Sequence, residues 1–240
     1  MQALEGRIAI ITGGTGALGR AVAENFLVAD AQVAIPWVVD AEVPLLRDRL
    51  KGRFAETQLM LRRTDVGVED QIKKFVADVV AKWNRIDVLV NLVGGFWGGK
   101  PIAETSLEEW QQMFDLNLKT AFLACRAVVP IMQQNKYGRI VSVTSRSGLS
   151  GAGDFAAYAV AKGAIATLTA SLAEEVLADG IQVNAIAPST IDTEANRVAM
   201  PKAKHENWVK PDDIARTISF LCSEDCRVTS GAVVPVYGRA

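Results

Sequence analysis

Tyr158 and Lys162 stand four residues apart in the run FAAYAVAKGAIATLTASLAEE. Its Ala and Leu content, with an apolar stripe continuing through Ile165, Leu168 and Leu172, predicts a helix. Helical positions i and i+4 share a face, so both side chains point the same way. A free phenol has a pKa near ~10 and exchanges protons poorly at neutral pH. An ammonium beside it favours the phenolate and lowers that value. A phenol tuned in this way hands a proton to a carbonyl oxygen or takes one from an alcohol. Tyrosine and lysine at this spacing are common on helices, so the pair needs support from the rest of the chain.

That support begins near the start. Residues 7–12 (RIAIIT) form a short β-branched run that predicts a buried strand. The run breaks into Gly13-Gly14-Thr15-Gly16-Ala17-Leu18-Gly19 and then a helix-like stretch, RAVAENFLVAD. Glycines at such a turn let the backbone approach a pyrophosphate, which rests on the free N–H groups of the helix N-terminus. In dinucleotide-binding folds the second strand ends at the adenosine ribose. Here that strand, 32–36, runs into Trp37-Val38-Val39-Asp40.

Strands and helices alternate throughout. A charged amphipathic helix is expected over 42–53, a third strand over 58–61 followed by Asp65-Val66, and a helix over 69–83. The fourth strand, 86–90, is nearly all apolar and leads into Asn91-Leu92-Val93-Gly94-Gly95-Phe96-Trp97-Gly98-Gly99, a glycine loop with two aromatics. They either cap the core or meet a substrate. Ser106 and Glu109 form a capping box that opens a long helical region carrying Asn117. The fifth strand, 139–143, precedes Thr144 and Ser145; the sixth, 181–186, precedes Pro188. Residues 189–210 are expected to be a loop or short mobile helices, a candidate lid. A last helix, 211–222, and a strand, 232–236, complete one doubly wound parallel α/β sheet of the Rossmann type, a single domain over 1–240.

Composition excludes other classes. The chain has 240 residues, half of them hydrophobic, and a net charge of -1. With no block of like charge, neither nucleic acid nor a membrane surface is an expected partner. The opening, from Met1 into Glu5-Gly6-Arg7, does not read as a signal peptide, and the apolar runs are strand-length. Three cysteines (Cys125, Cys222, Cys226) and one histidine (His205) suit neither a zinc site nor a disulfide framework. A cytoplasmic protein with buried, reduced thiols and no metal is the expectation.

Over nearly its whole length the chain resembles the short-chain dehydrogenase/reductases. Thr12-Gly13 with Gly19 is similar to their glycine motif, and Asp65-Val66 to their adenine contact. Asn91 and Gly94 fall where the family has Asn-Asn-Ala-Gly. Asn117, Ser145, Tyr158 and Lys162 follow the order of its catalytic tetrad, and Asn184, Pro188, Ile191 and Thr193 resemble its nicotinamide-amide segment. The resemblance implies hydride transfer with NAD(H) or NADP(H) between a carbonyl and a secondary alcohol. Ser145 would place the substrate oxygen and Tyr158 would be the acid or base. Lys162 would lower the Tyr158 pKa and hold the nicotinamide ribose, and Asn117 would fix a relay water. It also implies a homotetramer or homodimer packed through helices at 106–134 and 156–178.

Several positions depart from the family. Ala17 replaces the middle glycine, Leu92 and Val93 the second Asn and the Ala, and Ser189 the Gly after Pro188. Trp37 sits where NAD-preferring members carry an acid, and no base replaces it, so the choice between NAD and NADP stays open. A narrower similarity, to the quinonoid dihydropteridine reductases, lies in GGTGALG, the loop at 94–99, and Ile191-Asp192-Thr193 with Asn196-Arg197 and Met200-Pro201. Ser145 favours ketone chemistry over that alternative. A non-catalytic nucleotide sensor is the other, and the four intact tetrad candidates speak against it.

Overall fold

In the computed structural model, which describes residues 4–52 and 54–239, the chain alternates strand and helix as its patterning requires. The first half runs β1 (Ile8–Thr12), α1 (Ala17–Val28), β2 (Gln32–Trp37), α2 (Glu42–Leu50), β3 (Leu59–Arg63), α3 (Glu69–Trp83) and β4 (Val88–Asn91). Next come α4 (Leu107–Phe114), a π-helical turn at Asp115–Lys119, α5 (Thr120–Asn135), β5 (Gly138–Val143), α6 (Arg146–Ser150) and α7 (Ala156–Val176). The chain ends with β6 (Ile181–Pro188), α8 (Glu194–Ala199), α9 (Pro211–Cys222) and β7 (Val233–Val236).

Among the described residues, seven strands form one parallel sheet in the order β3-β2-β1-β4-β5-β6-β7. Every residue of β1, β5 and β6 is buried, because helices cover both faces. Strand alternation divides the core in two. Ala9 and Ile11 meet Phe26, Leu46 and Ile218 of α1, α2 and α9. Ile8 and Ile10 join Phe75, Val128 and Val176 of α3, α5 and α7. All three cysteines are buried and unpaired. Strand order reverses direction between β1 and β4, and the C-terminal edge there opens the crevice where such sheets bind ligands.

Boundaries moved where pairing overrides composition. The helix expected over 42–53 ends at Leu50, and Arg53 lies outside the described residues. β3 was expected over 58–61 but runs to Arg63, because Pro36 and Trp37 of β2 pair with Arg62 and Arg63. Both arginines find carboxylates, Arg62 at Asp78 and Arg63 at Asp40. β6 continues to Pro188, which pairs with Val236. The segment 189–210 is partly ordered: Ile191 bridges to Val209, and Thr193 caps α8 by accepting from the Asn196 amide at 3.2 Å.

The stretch Ala156–Asp179 is long and apolar enough to cross a membrane. Here it packs on the sheet instead, with Ile165, Ala173 and Val176 buried.

Candidate active site

Three elements bring the tetrad candidates together. β5 delivers Ser145 just past its C-terminal end, α7 carries Tyr158 and Lys162, and the π-helical turn carries Asn117. A single wide turn of this kind re-aims one side chain within an otherwise continuous helix. Met113 of α4 and Ala157 and Ala161 of α7 pack beneath, with Tyr158 against them.

Ser145 is the N-cap of α6, its Oγ accepting from the Gly148 amide at 3.0 Å. That bond occupies a lone pair and leaves the hydroxyl proton to donate. The Ser145 hydroxyl lies beside the Tyr158 phenol, where it favours the phenolate. Lys162 is 6% exposed, and its ammonium donates to the Val143 carbonyl at 2.9 Å. Thr144, which sequence reasoning passed over, donates to the Lys162 carbonyl at 2.6 Å and ties α7 to the end of β5. Nothing in the sequence marks Thr144 except its place between strand and serine.

Asn117 is completely buried. Its Nδ2 donates to the carbonyls of Gly95 at 3.0 Å and Met113 at 3.1 Å, and its Oδ1 accepts from the Gly95 amide at 3.2 Å. The amide therefore fastens the loop after β4. Gly94 is exposed and lies directly against the cluster: a Cβ there would sit 2.6 Å from Asn117 Oδ1 and 3.0 Å from Lys162 Nζ.

One expectation is corrected. Tyr158 is raised, not lowered, in pKa, because burial penalises the phenolate and the Ser145 hydrogen bond offsets that only in part. Burial also pushes Lys162 down to about 8. The ammonium is spent on the Val143 carbonyl rather than on the phenol.

The glycine turn fits a dinucleotide. Gly13 takes a left-handed φ of 68°, and a Cβ at Gly19 would lie 2.1 Å from the Gly13 carbonyl oxygen. Ala17 does not spoil the path: Gly16 donates to Gly13 at 3.1 Å and α1 starts at Ala17. This 12-residue helix has no side-chain cap and no acid in its first turn, so its leading N–H groups are left for a pyrophosphate. Leu18 packs on the core under the turn. The Thr15 hydroxyl does not cap α1; it donates to Glu42 of α2 at 2.6 Å.

Other expected cofactor residues divide into two groups. Trp37 is half-buried at the end of β2 with the Arg63 guanidinium over its ring, while Asp65 is exposed and Val66 buried at the end of β3. By contrast, Asn91 turns inward, donating to Ser142 Oγ at 3.2 Å and Cys125 Sγ at 3.4 Å. Ile191 packs on the core and Thr193 caps α8, so their side chains serve the segment itself. Pro188 closes β6, and Asn184 binds the Thr229 carbonyl and Ala232 amide, tying β6 to β7.

Around Tyr158 the loop aromatics line the mouth. Phe96 is 60% exposed and stands edge-on to Tyr158 and to Phe155, each at 5.1 Å between ring centroids. It does not cap the core. Lys100 lies over Trp97, and Arg146 over Tyr237.

The short chain dehydrogenase family model matches residues 7–204. The chain belongs to the short chain dehydrogenase family. It is an NAD(P)-dependent oxidoreductase that interconverts carbonyl and alcohol groups by hydride transfer. This short chain dehydrogenase is 31% identical, over 98% of each chain, to a 3-oxoacyl-[acyl-carrier-protein] reductase of Thermotoga maritima. It is 29% identical to a meso-2,3-butanediol dehydrogenase of Serratia marcescens, covering 98% of this chain and 95% of that one. Among solved structures, levodione reductase superposes with a TM-score of 0.90 at 26% identity, covering 98% of this chain and 97% of that one. A structure described as ElxO with NADP bound gives 0.90 at 27%, covering 97% and 98%.

Proposed function

We propose that Tyr158 is the proton donor and acceptor of this enzyme, with Ser145, Lys162 and Asn117 in supporting roles. The observation that carries the reading is the convergence of Ser145 and Tyr158 one helical turn from the buried Lys162 ammonium. A substrate oxygen seated between the two hydroxyls accepts from both. In reduction, Tyr158 gives that oxygen its proton; in oxidation, Tyr158 takes the alcohol proton. Lys162, on the same face of α7, keeps its ammonium on the Val143 carbonyl beside Tyr158, placed for the nicotinamide ribose. Asn117 holds the Gly95 backbone, so the loop roof keeps its place over the site.

The nicotinamide group, when bound, supplies or accepts the hydride. Gly13, Thr15, Gly16, Ala17, Leu18 and Gly19 would hold the pyrophosphate end. Trp37, Asp65 and Val66 would hold the adenosine, and Gly94, Tyr158, Lys162 and Pro188 the nicotinamide riboside.

The substrate is a small ketone or secondary alcohol, in line with the chemistry named for the relatives. Ser145 beside Tyr158 supports carbonyl chemistry over pteridine reduction. Phe96 and Trp97 at the mouth favour a substrate with an apolar portion, and 189–210 acts as its lid. The whole chain works as one domain in the cytoplasm. Exposed Phe122 on α5 and Val160 on α7 support self-association through these helices into a dimer or tetramer, and a monomeric mass by light scattering would overturn that.

The functional test is a panel of ketones and diketones reduced with NADH and with NADPH, followed by loss of nicotinamide absorbance. Turnover that vanishes in Tyr158→Phe supports the assignment. Turnover that survives the substitution overturns it.

A further inference from the structure

The end of β2 offers no acid to a ribose, because Trp37 occupies it. An acid arrives from elsewhere. Glu42, the first residue of α2, accepts a hydrogen bond from the Thr15 hydroxyl at 2.6 Å. Thr15 is 3% exposed and belongs to the glycine turn, so the carboxylate is seated on the rim of the nucleotide crevice. An acid in the first turn of α2 would suit the helix dipole in any orientation. The bond across 27 residues to Thr15 is what turns this one toward the crevice.

The nearby cations are engaged. Arg63, over the Trp37 ring, is held by both carboxylate oxygens of Asp40 at 2.9 Å. Arg20 donates to the Thr15 carbonyl at 2.7 Å. A ribose 2′-hydroxyl entering between the glycine turn and the end of β2 can donate to a carboxylate. A 2′-phosphate there meets the same carboxylate as a like charge, while Arg63 at the end of β3 is paired with Asp40.

We infer that Glu42 makes this enzyme selective for NAD(H) over NADP(H), taking from α2 the role that the end of β2 leaves vacant. The inference rests on the dinucleotide reading above. NADH and NADPH are titrated separately into the full chain, following quenching of tryptophan fluorescence, for the parent and for Glu42→Gln. The parent should bind NADH about tenfold or more tightly than NADPH, and Glu42→Gln should shrink that ratio mainly by tightening NADPH. Glu42→Ala tests the same point should the glutamine variant fail to fold. A parent that prefers NADPH, with the preference lost in Arg63→Ala, would overturn the inference, because Arg63 would then leave Asp40 for the phosphate. An unchanged ratio in both Glu42 variants would overturn it too, while leaving the dinucleotide reading intact. Binding of neither dinucleotide would bring down that reading and this inference with it.

Discussion

Asn117 and Gly95 are hydrogen-bonded in both directions, side-chain amide to backbone carbonyl at 3.0 Å and backbone amide to side-chain carbonyl at 3.2 Å. This pairing joins a turn of helix to the loop that roofs the site. Asn117→Ala leaves the Met113 carbonyl and both Gly95 groups without that partner. The cost should be about 2 kcal/mol, the range for buried polar groups stripped of a hydrogen bond. Thermal unfolding reads the loss, and amide exchange should quicken at 94–99 before it does in the strands.

Gly94 and its neighbour should respond differently to the same added methyl group. A Cβ at Gly94 would press on Asn117 Oδ1 and Lys162 Nζ, which are both fixed by hydrogen bonds. A Cβ at Gly95 would meet only Leu116 Cδ2 at 2.6 Å, the end of a flexible side chain that can turn away. Gly94→Ala should therefore cut kcat by about 100-fold, the penalty of misplacing a reacting group by an ångström. Gly95→Ala should cost a few-fold at most. Steady-state kinetics on the two variants separate the cases, and equal losses would argue against the close approach of Gly94 to Asn117 and Lys162.

The alternation of strands and helices was legible in the sequence because each strand is apolar along its length and each helix has its own stripe. The site was legible only as an order of residue types. Tyr158, Lys162 and Ser145 do converge, yet the expected pull of Lys162 on the Tyr158 proton is absent. The ammonium reaches the Val143 carbonyl across the fold, a contact that spacing on one helix cannot reveal. The same holds for Glu42 and Thr15, and for Arg63 in β3. In each case the partner is set by strand register or by the angle at which a helix leaves the sheet. Asn91 and Thr193 lie in family-like motifs, but their side chains are used within the fold.

Tyr158→Phe removes one oxygen and leaves the ring in contact with Phe96 and the α4 packing. Folding and dinucleotide binding should therefore persist, whereas turnover should fall by about 100- to 10,000-fold, the usual contribution of a positioned acid or base. Ser145→Ala should also slow turnover, since the partner hydroxyl is lost. It should cost stability as well, because the Gly148 amide loses its cap. Calorimetry of the two variants distinguishes them: the serine change should lower the unfolding temperature by more, because it also removes the cap of α6.

The pH dependence should differ in sign between the two reaction directions. Burial lowers Lys162 to about 8 and raises Tyr158 above its usual value. Reduction needs a protonated phenol and a charged ammonium together. Both hold below pH 8, and the charge on Lys162 is lost as pH rises through that value. In the kcat/KM profile, which reports the free enzyme, reduction should thus be flat in the acid range and decline above pH 8. Oxidation needs the phenolate, whose population grows with pH throughout because Tyr158 titrates high, so its profile should climb through the same interval. The reduction limb should report Lys162 rather than Tyr158, whose own loss of a proton lies at higher pH. A reduction profile level to well beyond pH 8 would mean that the Lys162 charge is kept by something other than the Val143 carbonyl.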